Sequence, residues 1–486
     1  MKALSGRRLR FFAREAFAPD QAGPLDSIAF ALLIAFAAGA PFLYGIHTAT
    51  RGTAIAIGGG AVMPGGNLLL EIAAFLLTAV VLLSKSRVRS VRPLAIPLSG
   101  LVALAVLGLI QVLPLGYGTL DRLAPVNAQI YHETARILAL FGVSPPPAPR
   151  ISIAPGATLE TVLLTLAYAC LFFSSASLLR TRLRRRVFLG TLLFAGIAEI
   201  ALAVLREPTG ARLHGVFANT NHFGAYLEIS LAVGFGAIWA EVLTGRRRAD
   251  AIDRAERFER RFLPLAALIV VWTVLAIGIA LTESRGAMLA AAASTLCLVF
   301  LAPFHKRVQR RRRLMATAAL AMTAGLIITG ATIGRRPFLR FLESDPREIE
   351  SDARVSLWKT SVAAWREFPI VGSGLGTFRE AFRRVQTREF TGRVEQAHSD
   401  FLQLLVTGGA VGAILGVIVF ASVAWLLLRA WRAQKHREET AVVLAGLGAL
   451  LSLTLHGFVE FNMSIPPIPA TLACLVGAAW AAGRHA

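Results

Sequence analysis

Three observations predict an all-α polytopic membrane protein with about twelve transmembrane helices and one long outer loop carrying amphipathic helices. The chain is 55% hydrophobic and 16% charged, with mean hydropathy +0.61, a composition that excludes a soluble globule of this length. The apolar residues gather into stretches of roughly 18 to 25 residues, the length that crosses a bilayer as helix. Lys and Arg concentrate in alternate short loops between those stretches, the pattern that orients a membrane protein.

Taken in order, the expected spans lie near 27–46, 67–84, 94–114, 157–179, 187–205, 221–243, 263–282, 286–304, 314–332, 401–428, 440–458 and 464–482. The first follows a basic N-terminal region without a small-residue cleavage pattern, so it reads as a retained span. Alternation puts the basic runs at 2–14, 85–92, 180–186, 246–261, 306–313 and 429–437 on one side. Both termini are therefore expected in the cytoplasm, with Arg212, Arg285 and the long loop outside. The division that follows is a nine-helix region over 1–332 with an outer loop near 115–156, a loop subdomain over 333–400, and a three-helix region over 401–486. In a soluble protein a net charge of +22 would suggest nucleic acid, but bases confined to interhelical loops orient the chain instead, and no nucleic-acid partner is expected. Cys170, Cys297 and Cys474 lie in apolar segments without metal-ligand spacing, which argues against both a disulfide framework and a zinc site.

The outer loop at 334–400 has the most room for chemistry. Leu357, Trp358, Val362 and Trp365 recur at helical spacing, and Phe368-Pro369 ends that helix. A turn rich in glycine, Gly372-Ser-Gly374-Leu-Gly376, leads into a second, basic helix with Arg379, Arg383 and Arg384. The smaller outer loop holds Tyr131-His132-Glu133 in an expected short helix and reads as a cap. Ionisable residues within the spans, Glu71, Glu160, Glu199, Glu228, Glu283 and His456, with Glu460 just beyond, fall in the outer halves and imply a polar cavity opening outward.

Three outward stretches carry the candidate site. The first is Arg212-Leu-His214-Gly215-Val-Phe217-Ala-Asn219-Thr-Asn221, a tight turn of Gly and Asn that holds Arg212 near the membrane. The second is Glu283-Ser284-Arg285-Gly286, wedged between two spans. The third is His398-Ser399-Asp400, just before the tenth span, where Ser399 or Asp400 also suits a helix cap. Two guanidinium groups and an imidazole on one face suit a lipid-linked phosphate or diphosphate. Guanidinium binds phosphate oxygens bidentately and stabilises a departing diphosphate, while imidazole accepts or orients the proton of an acceptor hydroxyl. Without an Asp-rich cluster resembling a Mg2+ cage, metal-independent chemistry without a cofactor is expected.

These stretches resemble the signature of the O-antigen ligase family. The resemblance rests on Arg212 with Gly215, Asn219 and Asn221, on Ser284-Arg285-Gly286, on Arg354 with Trp358 and the Pro369 to Gly374 run, and on His398-Ser399-Asp400-Phe401-Leu402-Gln403 followed by Gly409. It implies a membrane-embedded glycosyltransferase of the GT-C type in the bacterial inner membrane, surrounded by membrane lipids, with its active site on the periplasmic face. The implied donor is a glycan on undecaprenyl diphosphate, bound by Arg212 and Arg285, and transfer inverts the anomeric carbon. His398 would activate or align the acceptor; the other motif residues, Gly215, Asn219, Asn221, Ser284, Arg354, Trp358, Ser399 and Asp400, would support it. O-antigen ligation to lipid A-core is the leading expectation. A polysaccharide polymerase taking another glycan as acceptor, and a protein-glycosylating enzyme, need the same donor site. A solute transporter is the alternative from another class, and it predicts ionisable residues at the bilayer midplane.

Overall fold

The computed structural model describes residues 23–56, 66–84, 95–144, 148–244, 254–301, 353–390, 392–434 and 436–483. Among them all regular structure is helical: α1 (Pro24–Ala56), α2 (Gly66–Leu83), α3 (Ala95–Val112), α4 (Tyr117–Leu123), α5 (Pro125–Leu140), α6 (Pro155–Leu178), α7 (Arg182–Arg206), α8 (Thr220–Thr244), α9 (Arg254–Leu281), α10 (Arg285–Leu301), α11 (Ala353–Glu367), α12 (Phe378–Val385), α13 (Asp400–Ala433), α14 (Arg437–His456) and α15 (Pro467–Gly483). The 7 helices α1, α6, α7, α8, α9, α13 and α14 are long and apolar enough to cross a membrane, and α2, α3, α10 and α15 are apolar but shorter. Every expected span falls on one of these helices except the ninth. That span, 314–332, lies outside the described residues, as do 334–352 of the long loop and the basic runs at 2–14, 85–92 and 306–313.

The helix ends follow local chemistry. Pro125 and Pro155 open α5 and α6 at positions whose amide has no intrahelical partner anyway. Thr181 caps α7 by accepting from Arg184 N, and Ser399 caps α13 by accepting from Leu402 N. Large apolar side chains cover the bundle surface, including Leu76, Leu83, Phe194, Leu205, Ile414 and Val417, a face suited to hydrocarbon and not to water. Inside, small residues let helices touch: a Cβ on Gly236 would collide with Ala441 O of α14.

The basic run at 180–186 is not simply a solvated loop. Arg185 and Glu439 are both 3% exposed and 3.2 Å apart, and Arg182 bonds the same carboxylate at 3.0 Å. Arg184 lies over the Phe30 ring at 5.0 Å. Arg182 and Arg185 thus tie α7 to the start of α14, and Arg184 packs α7 against α1.

The described parts of the two loops that were expected outside, 115–156 and 353–400, form a single packed body at one end of the apolar helices. Ala364, Phe368, Phe378 and Phe382 make its core, and Val126, Ile130 and Ile153 from the smaller loop pack against it. The buried face of α11 is rotated from the one its tryptophans suggest, because Leu357, Ser361, Ala364 and Phe368 point inward while Trp358 and Trp365 are half-buried. The smaller loop builds α4 and the 16-residue α5, more helix than the short helix expected at Tyr131-His132-Glu133.

This body is keyed into a transmembrane helix. Expected as continuous, α13 is broken at Gly409, whose backbone (φ 61°, ψ −164°) is not helical. The glycine-rich turn fills the break. Ala410 N and Val411 N donate to Pro369 O and Ile370 O at 2.9 and 3.1 Å, while Ser373 N and Gly374 N donate to Val406 O and Thr407 O at 3.2 and 3.0 Å. The amides and carbonyls freed by the break thus find partners in the loop, as a break at membrane depth requires. Gln111 of α3 completes the joint: its Nε2 donates to Val371 O at 2.7 Å and Thr407 O at 3.2 Å, and its Oε1 accepts from Leu375 N at 2.8 Å.

Candidate active site

The three motif stretches meet at the turn that links α14 to α15, residues 457–466. His398 stands immediately before α13 with φ 47°, in the left-handed region that is uncommon for a residue with a side chain. Among the described residues Glu283 (φ 53°) is the other non-glycine residue with positive φ, and it lies in the Arg285 turn. Backbone strain of this kind persists only where surrounding contacts impose it. For His398 those contacts are visible. Trp358 Nε1 donates to its carbonyl at 3.2 Å, its ring meets Phe461 edge-on with centroids 4.8 Å apart, and its Nδ1 lies 3.2 Å from Glu460 Oε2.

Glu460 is the hub of the site. Its side chain is 1% exposed, it accepts from Arg354 Nη2 at 2.6 Å, and Asn221 Nδ2 donates to it as well. Burial pushes its carboxyl up, but the hydrogen bond and charge of His398 and the charges of Arg354 and His222 outweigh that and hold it below the ordinary glutamate value. A neutral imidazole that carries its proton on Nδ1, toward Glu460, keeps the lone pair on Nε2.

Other motif residues fasten the turn. Asp400 donates its amide to Gly457 O and Glu460 O at 2.9 and 3.0 Å and accepts from Met463 N at 3.0 Å. Gln403 bonds Ser464 Oγ at 2.8 Å and accepts from Ala397 N at 3.1 Å. Asn219 Oδ1 accepts from Asn221 N at 2.8 Å, which aims the Asn221 amide toward Glu460. Gly215, with φ 59°, packs over Glu199 and Phe223.

Arg212 and Arg285 neighbour each other through the second stretch. Arg212 Nε donates to Thr282 O at 3.1 Å and lies 3.9 Å from Glu283 Oε2, while Ser284 caps α10 by accepting from Ala287 N at 3.3 Å. Arg285, the first residue of α10, is exposed, and Gly286 sits against His456 and Val459. Asn221 and Gly286 thus bring both turns to the 456–460 segment, yet neither arginine lines the cavity that His398 lines.

That cavity is about 1820 Å³, larger than the roughly 300 to 1,000 Å³ of small-molecule sites. Leu101, Leu104, Leu404, Phe420, Leu450 and Leu453 make an apolar wall between α3, α13 and α14. Arg354, Arg379, Arg393 and His398 line its polar part with Glu160. The ionisable residues of the spans do not share one cavity, contrary to expectation. Of those within spans Glu160 lines it, whereas Glu199, Glu228 and His456 are buried in the bundle.

The O-antigen ligase family model matches residues 268–417. The matched stretch, 150 of the 486 residues, is similar to O-antigen ligases. The matched region holds Ser284, Arg285, Arg354, Trp358, the glycine-rich turn and His398, and it ends before Glu460. No curated protein matches the chain. The match and the apolar helices support a multi-pass membrane protein of the glycosyltransferase type, with glycan and lipid-linked substrates in general.

Glu460, beyond the matched stretch, is the site residue that sequence reasoning left out of the set. Its signal was weak: a single carboxylate beside Phe461 and Asn462 in the short turn between two apolar stretches. His222, whose Nδ1 lies 3.2 Å from Asn462 Oδ1, was likewise unassigned.

Proposed function

We propose that the protein transfers a glycan from undecaprenyl diphosphate to an acceptor hydroxyl on the periplasmic face of the bacterial inner membrane, with lipid A-core as the acceptor. The observation that carries the reading is the His398–Glu460 pair at a cavity with an apolar wall. A charged, hydrogen-bonded imidazole partner is suited to proton transfer, and the wall suits a lipid-linked substrate. The acceptor oxygen attacks the anomeric carbon, its proton passes to Nε2 of His398, and the bond from that carbon to the diphosphate oxygen breaks with its electron pair. Attack opposite the leaving group inverts the centre. Glu460 orients the ring and stabilises the imidazolium, the role a buried carboxylate plays beside a histidine base. Arg212 and Arg285 receive the charge of the departing diphosphate, and no step calls for a metal ion.

The test is reaction of purified protein with undecaprenyl-diphosphate-linked oligosaccharide, with lipid A-core or no acceptor, followed on a gel. One discrete shift of lipid A-core is the expected result. A ladder without added acceptor would assign a polymerase, and absence of donor binding would return the transporter reading. His398→Ala should retain donor binding and lose transfer. Loss of donor binding in that variant would make His398 a donor ligand or a structural residue.

A further inference from the structure

Two ionisable side chains deep in the bundle take no part in the chemistry above. Glu228 of α8 and His456, the last residue of α14, are fully buried with Glu228 Oε1 2.7 Å from His456 Nδ1. Ser452 Oγ donates to the other carboxylate oxygen of Glu228 at 2.7 Å. Neither residue lines the cavity. A buried carboxyl–imidazole contact is a poor source of stability, because desolvation offsets its attraction, and the best-attested use of such a buried polar pair is to fix register. Ionisable residues kept within a membrane-spanning segment point to a role beyond packing.

The spacing says what register would be fixed. Glu228 lies two turns along α8 from Asn221, and His456 lies four residues before Glu460, so the same two segments meet once at Glu228 and His456 and again where Asn221 donates to Glu460. The other edge of the imidazole supports the arginine turn: a Cβ on Gly286 would lie 2.9 Å from both Cδ2 and Nε2 of His456. One side chain thus touches the base of the Glu460 turn and the residue next to Arg285.

We propose that the Glu228–His456 pair is a register lock that sets Glu460 against His398 and Arg285 beside them. Its activity arm rests on the glycan-transfer reading; its structural arm does not. Both are positioning residues. Glu228→Gln and His456→Ala should each lower kcat about tenfold or more with donor KM within about twofold, the pattern of a supporting residue whose loss leaves substrate binding intact. In Glu228→Gln/His456→Asn the Asn amide nitrogen stands near the former Nδ1 and bonds the Gln oxygen. This double variant should recover to within about threefold of wild type, a coupling that independent structural damage would not give. Structures of wild type and Glu228→Gln in nanodiscs read the register directly, and Asn221 should leave hydrogen-bond distance of Glu460 in the variant. Additive losses in the double variant, or Asn221 still bonded to Glu460 in the single one, would overturn the lock. Wild-type protein without transfer activity would sink the functional reading instead and leave the structural comparison to decide the lock.

Discussion

Removing the Gln111 side chain should loosen the joint between the outer loops and α13. Gln111 is wholly buried, and Gln111→Ala deletes three hydrogen bonds of 2.7, 3.2 and 2.8 Å. Thr407 O keeps Gly374 N as a donor at 3.0 Å, so the groups stranded are Leu375 N and Val371 O. A buried polar group left without a partner costs about 1–3 kcal/mol, which puts the total at about 2–6 kcal/mol. The backbone carbonyl of residue 111 still accepts from Ser152 N at 2.8 Å, so the effect belongs to the side chain. Hydrogen–deuterium exchange in detergent reads it locally. Amides of Ser373, Gly374, Ala410 and Val411 should exchange about 30-fold faster or more, the factor that 2 kcal/mol implies, while amides of α8 keep their protection. Protection within about threefold of wild type at those four amides would mean that Gln111 does not hold the joint.

Glu460→Gln keeps the shape but removes the charge shared by His398 and Arg354, and transfer should fall by about 10- to 100-fold as for other orienting partners; wild-type kcat in that variant would remove Glu460 from the mechanism. Its carboxyl is held below the ordinary value, so the stability it contributes is present above the unfolded value of about 4.3 and is lost as pH falls through the lower folded value. The melting-temperature gap between wild type and Glu460→Gln should therefore be widest near neutral pH and close on acidification; a constant gap would contradict the ion-pair assignment. Arg212→Ala and Arg285→Ala should abolish transfer with membrane insertion intact, and lysine at either position should rescue poorly because bidentate contact is lost; normal gel shifts from the alanine variants would refute the diphosphate role. Trp358→Phe removes a neutral hydrogen bond to His398 O worth about 0.5–1.5 kcal/mol, close to the cost of the left-handed backbone it helps impose. A drop in kcat of about two- to tenfold with unchanged donor KM is expected, and unaltered kinetics would show that His398 is held by its other contacts alone.

The transmembrane helices were legible because the requirement they meet is local: a span must be apolar over its whole length. The candidate residues on the motif turns were legible for a similar reason, since polar side chains between apolar runs stand out. The break in α13 was not, because Gly408-Gly409 sits in an apolar run and its partner groups come from residues 369–374, before the span begins. Glu460 escaped because its meaning is set by partners far along the chain: His398 is 62 residues away, Arg354 is 106 and Asn221 is 239. Gln111 is 260 residues from Val371 and reads locally as one polar residue at a helix end. The buried face of α11 was misjudged because the tryptophans dominate the pattern by size, whereas close packing against α12 and α13 selected Ser361 and Ala364.

His398 stands where two bodies join. On one side the outer loops reach it through Trp358 and meet its carboxylate partner through Arg354. On the other, the apolar helices reach it through Asn221 and the Asp400-fastened turn that carries Glu460. Eleven residues further along, at Gly409, the glycine-rich turn occupies the break in the helix that His398 precedes. A loop attached to the bundle at three points cannot swing as a free lid without disturbing the imidazole, since any shift in Arg354 alters the charge that Glu460 offers to Nδ1. On the proposed function, acceptor contacts on the outer loops and donor contacts along the apolar wall are coupled through one carboxylate. That coupling gives a physical reason for a long outer loop to be built around a helix break instead of being tethered by flexible ends.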